Sequence, residues 1–129
     1  MSELFTRNIL EEVYQALAES DSLTQLVPIE NIWLRRIPEE NREQSPVIRI
    51  TQINWVPYEY SSNNQISYFA EFQIDVWQKQ EDGDPFVIGQ IIQDIMRKEY
   101  FQQSTSIFTD DEDTEMLRDG RRYQGIIII

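Results

Sequence analysis

"QISYFAEFQIDVW", residues 65–77, decides the fold. Ile66, Tyr68, Ala70, Phe72, Ile74 and Val76 fall on one side of a two-residue period. Phe69, Glu71, Gln73, Asp75 and Trp77 fall on the other. The alternation predicts a strand with one apolar face and one mostly polar face. At about 3.3 Å per residue it is about 40 Å long, whereas ordinary strands stop at about five or six residues. Such a strand outruns the core expected of a 129-residue chain, so its polar face needs another use.

The flanking segments supply its partners. "PVIRITQINW" (46–55) predicts a strand starting at Pro46 and pairing with 65–77 as an antiparallel hairpin. Ile48 and Ile50 share a face, while Ile53 and Trp55 are in the opposite phase. A β-bulge near Thr51–Gln52 reconciles them. Residues 56–65, rich in turn formers, predict the connection. Upstream, Ile9, Leu10, Val13, Tyr14 and Leu17 predict an amphipathic helix over 3–19, with Glu3 favouring its N-terminus. Residues 31–38 hold a short strand stopped by Pro38, and 39–45 a polar loop. Downstream, Asp84 caps a helix that opens on Pro85 and buries Ile88, Ile91, Ile92 and Ile95. Arg97 and Lys98 suit its C-terminus. Residues 104–109 predict a strand, 110–120 a loop, and 121–129 a closing strand. Its four isoleucines imply cover on both faces or an end that completes an interface.

Together these give one α+β domain spanning 1–129. Its sheet is largely antiparallel, mixed, of four to five strands, with two helices on one face. The helices cover the apolar face of 65–77. The face carrying Phe69, Glu71, Gln73, Asp75 and Trp77 is left for an interface.

Composition narrows the function. The chain has no cysteine and no histidine, which removes thiol, imidazole and common zinc chemistry. A net charge of −12 argues against nucleic acid and against an anionic membrane surface. The sequence has neither an eighteen-residue apolar run nor a cationic-then-apolar signal pattern, so a cytoplasmic start is expected. Glu71 and Asp75 share a strand face about 13 Å apart, too far for a paired-carboxylate hydrolase. "GDPFVIG" lacks phosphate-loop spacing. The residues indicate no enzyme, cofactor or dedicated metal site.

"DDEDTE" (110–115) is the most chemical-looking stretch. Asp110, Asp111, Glu112 and Asp113 read first as a solvated loop, and second as weak ligands for a hard cation at a subunit junction. Arg118, Arg121 and Arg122 follow directly. They either balance these acids locally or meet the acids of a second copy.

Three stretches carry a family resemblance: "IPEENREQSPVIRITQI", "YSSNNQISYFAEFQIDVW" and "DDEDTEMLRDGRRYQGIIII". The first is a polar loop entering a proline-started strand. The second is a Ser/Asn-rich turn before a long alternating strand. The third is an acidic loop before a closing strand. Their order resembles the tail terminator and tail-completion proteins of long-tailed phages, especially small minor tail proteins of Gram-positive phages and prophages. The resemblance implies a structural protein that caps the tail tube as a ring, typically hexameric, and offers the head a joining surface. It implies as partners further copies of itself, weakly associated in solution, the tail tube protein and the head connector. It places the protein in the virion tail, and in the host cytoplasm during assembly. The alternative from charge alone is a small acidic regulator, a DNA mimic occupying a basic cleft on a host protein.

Overall fold

A computed structural model describes residues 7–62, 64–111 and 115–128, with the side chains of 64, 65 and 111 not described. Helix α1 (Ile9–Ala18) opens on Asn8, whose side chain accepts from the Glu11 amide. The expected contribution of Glu3 lies outside the described residues. α1 buries Ile9, Leu10, Val13 and Leu17, and the single turn α2 (Asp21–Thr24) adds Leu23. Strand β1 (Ile32–Leu34) follows, then β2 (Val47–Ser61) and β3 (Asn64–Lys79). Helix α3 (Pro85–Lys98) is capped by Asp84, and β4 (Gln102–Asp111) and β5 (Met116–Ile128) complete the fold.

The five strands form one sheet in the order β1-β2-β3-β5-β4. β1 runs parallel to β2 and every other pair is antiparallel, so the sheet is mixed and the domain α+β, as expected. The helices pack on the face carrying Ile48, Ile50, Phe72, Ile74 and Val76, where Ile88, Ile92 and Met96 of α3 meet Val13 and Leu17 of α1. Ile91 and Ile95 pack at the margin of this core.

The first helix starts at Ile9, with Arg7 and Asn8 outside it, and β4 runs Gln102–Asp111 and so takes in residues expected in the acidic loop. Three further boundaries differ from expectation. The bulge lies between Gln52 and Asn54, at Ile53, and it returns Trp55 to the helix face, where its ring stacks on Tyr68 at 4.4 Å. The segment 56–61 is not a connection: β2 continues through it, and the hairpin turns at Ser62 in a left-handed conformation. Val56, Tyr58 and Tyr60 favour extended backbone, and Pro57 is tolerated because β1 covers only Ile48–Ile50, leaving this part of β2 at the margin of the sheet. Finally, 116–120 is strand, not loop. Its charged residues are held in register because Asp119 has a partner beneath the helix and Arg118 one on the opposite face.

The second sheet face is partly covered. The segment between β1 and β2 folds across it, placing Ile37 against Val47 and Met116, with Trp33 and Trp77 alongside. Trp33 Nε1 donates to Gln44 at 2.9 Å, and the Ser45 hydroxyl accepts from the Lys79 amide at 2.8 Å, which pins this segment to the end of β3.

Candidate interaction face

The long strand orders its outward residues in three zones. At the turn end, Val56, Phe69 and Ile126 are directly opposed across β2, β3 and β5. Val56 and Ile126 are exposed, as is Ile128 opposite Ser67. This apolar row lies beyond the segment that covers the far end of the face. The four closing isoleucines therefore divide: Ile127 enters the core, and Ile126 and Ile128 face outward. Ile129 lies outside the described residues.

The middle zone is polar and braced. Glu71 accepts from Asn54 at 3.2 Å, and Gln73 accepts from Arg122 Nε at 3.1 Å. Asp75 was expected to be a solvent-facing interface residue, yet its side chain is 0% exposed. Arg118 donates to it through Nη2 at 2.7 Å and Nε at 3.0 Å. Arg49 Nη2 reaches its other oxygen at 3.2 Å, and Gln73 Nε2 donates at 2.9 Å. A carboxylate with four such donors has little left to offer a partner. Gly120 sits opposite, where a Cβ would lie 2.7 Å from Asp75 Oδ1, so the ion pair needs the missing side chain.

The third zone is aromatic. Trp77 lies against the guanidinium groups of Arg49 and Arg118, at 5.0 and 5.5 Å from the ring centre, and packs on the small second core. It was expected to stand free at the end of the strand. It is instead half-buried, because the segment 36–46 folds over it.

The arginines divide in the same way. Arg122 and Arg118 are partly exposed on this face, but Arg121 points to the helix side and is 3% exposed. Its Nε and Nη2 grip both oxygens of buried Asp119 at 2.9 and 3.0 Å, and its Nη1 donates to Gln90 at 2.6 Å and Gln103 at 3.2 Å. The rings of Phe86 and Phe108 lie 5.3 and 5.8 Å from its guanidinium carbon. Burial pushes the Asp119 carboxyl above its ordinary value, against the opposing pull of Arg121. Arg121 is therefore a strut between β5 and α3 and not a surface contact. Of the acids expected to answer these arginines, Asp110 is exposed on β4. Glu112, Asp113 and the Asp111 side chain lie outside the described residues. Asp119 and Arg49 were missed by sequence reasoning. The signal was there for Asp119, because Asp119, Arg121, Tyr123 and Ile127 share one strand parity.

Residues 11–128 match the family model described as tail completion protein gp17. No curated protein matches the sequence. Among solved structures, a chain from the virion of a native gene transfer agent particle superposes with a TM-score of 0.58. The two are 12% identical, over 91% of this chain and 92% of that one, so the likeness is one of fold.

Proposed function

Because the chain belongs to the tail completion protein gp17 family, and is thus a structural protein of the phage virion tail, we propose that it closes the tail tube as an oligomeric ring and presents the joining surface for the head. The ring is expected to be hexameric, with the tail tube protein and the head connector as its partners. The observation that carries this reading is the outward apolar row of Val56, Phe69, Ile126 and Ile128, set beside the braced polar zone. An exposed apolar patch adjoining a polar zone suits a surface that docks on a protein. The acidic-regulator reading finds less support. A mimic of nucleic acid displays its carboxylates, and Asp75 on this face is enclosed by two arginines.

Among the described residues of the charged pairing, Arg118, Arg122 and Asp110 have surface to contribute to a neighbour, and Arg121 drops out of it. The test replaces Ile126 with Glu in a phage lacking its own copy of the gene. The isolated variant should keep its fold, since Ile126 is 43% exposed. Overlong or headless tails in electron micrographs are the expected defect. Normal virions would exclude the apolar row as the docking surface.

A further inference from the structure

We infer that residues 36–45 form a strap that lifts from the outward sheet face as a unit while the rest of the domain stays folded, and that a docking partner meets the whole face only when the strap is up. The hold of this segment on the sheet is thin. Only Ile37 within it is buried, in a core shared with Val47 and Met116 of the sheet. The main core under the helices, by contrast, takes in 19 buried residues among those described. Two side-chain hydrogen bonds fasten the strap's end, Trp33 Nε1 to Gln44 and the Lys79 amide to Ser45. Among the described residues, none of Arg36, Glu39, Glu40, Arg42 and Glu43 takes part in an ion pair. Nor does the strap lie flush. A groove of about 940 Å³ is lined by Ile37, Glu40 and Glu43 on one side and by Arg49, Trp77 and Lys79 on the other. The strap's own amides turn inward: Asn41 donates to Pro38, Arg42 to Glu39 and Gln44 to Asn41. A segment with internal backbone bonds and few apolar contacts opens locally and as one body.

Its entry is strained. The strap leaves β1 at Arg35, which has φ 67° and is spanned by a 2.7 Å hydrogen bond from the Arg36 amide to the Leu34 carbonyl. A three-residue turn at positive φ is the rare, strained form of the γ-turn. Strain of this kind in a non-glycine residue persists only where the surroundings hold it, and it gathers at parts that change shape. Lifting the strap lets Arg35 relax, which offsets part of the cost of opening. The exit is anchored, because Asn31 Nδ2 holds the Pro46 carbonyl at 2.9 Å. Beneath the strap lie Val47, Met116 and the half-buried Trp77. Uncovering them extends the outward apolar surface from the turn end of β3 to its far end. To that extent the inference rests on the reading of this face as the docking surface.

The chain has no cysteine, so an introduced one is its only thiol. Met116→Cys, labelled with an aromatic disulfide reagent across a urea series, reads the opening. Labelling should run at least about tenfold faster than global unfolding of the same variant permits, with about half its urea dependence or less, because little surface is exposed. Ser45→Ala should speed it by roughly fivefold, through loss of the bond to Lys79. Arg35→Gly, which adopts positive φ without steric cost, should slow it by roughly threefold. Hydrogen exchange of the Lys79 amide in the unaltered chain gives the same reading should Met116→Cys fail to fold. Labelling or exchange that follows global unfolding alone overturns the inference, as does faster labelling of the glycine variant. Joining the thiols of an Ile37→Cys, Met116→Cys protein with dibromobimane holds the strap down. Added to extracts of a phage lacking the gene, the joined protein should leave tails unfinished, and the same protein unjoined should finish them. Normal tails from the joined protein overturn the strap's control of docking. The Ile126→Glu virions test the docking face without touching the strap, so the two readings fail separately.

Discussion

Replacing Arg121 with Met is the most informative perturbation of this fold. The aliphatic stem is kept beneath Phe86 and Phe108, while the guanidinium and its hydrogen bonds are lost. Asp119, 1% exposed, is left without its partner. Breaking a buried pair from one side costs about 3–5 kcal/mol, because a buried charge remains uncompensated. Against a domain stability of about 5–15 kcal/mol this is about a fifth of the total or more. The loss should depend on pH with a definite sign. Asp119 already titrates above its ordinary value through burial, and removing Arg121 raises it further. A carboxyl whose folded pKa is raised binds its proton more readily in the folded state. Its favourable contribution is present at acid pH and fades as pH rises through the folded value. The variant should therefore lose most stability near neutrality and recover part of it on acidification. Urea unfolding across a pH series measures both. A loss under about 1 kcal/mol near neutrality, or one that does not shrink on acidification, would refute the strut.

Two further substitutions probe the two faces. Trp77→Ala should cost about 2–3 kcal/mol in urea unfolding, since a half-buried indole and its contacts with Arg49 and Arg118 are lost; a cost under about 0.5 kcal/mol would mean that the ring is free. Tyr123→Phe should be neutral or stabilising by up to about 1 kcal/mol near neutrality, because the buried hydroxyl has no partner among the described residues. Burial raises the Tyr123 pKa, so the wild type should lose stability as pH climbs past the ordinary tyrosine value of 10.0, and the phenylalanine variant should escape that component.

The architecture was legible because it rests on periodicity. The two-residue period of 68–76 and the helical period of Ile9, Val13 and Leu17 are imposed by burial on one side, which leaves a mark in sequence, whereas Ile66 continues the pattern while exposed. Residues 116–120 were misread because their strand is stabilised by charge pairs and not by apolar alternation. "RDGRR" looks like a loop until β3 supplies Asp75 and α3 supplies Gln90. Segment 56–61 was misread for a related reason: a strand exposed on both faces carries no burial pattern. Of the residues expected on the outward face of the long strand, Asp75 and Trp77 are enclosed by their neighbours. Which outward side chains stay free depends on the segment 36–46 folding over Trp77, and that is a tertiary event.

The strand order has a consequence for how the chain reaches this state. β5 lies between β3 and β4 although it follows both in sequence. During synthesis the β2–β3 hairpin can zip locally, but β4 emerges before the strand that will hold it. Until β5 inserts, the uncharged 102–109 segment has both sides unpaired, beside a β3 edge that is also vacant. Closure of the sheet is then a late, non-local step of the kind that slows folding. The acids directly after this segment, in "DDEDTE", act during that interval as gatekeepers, discouraging nascent chains from joining one another before each has joined itself.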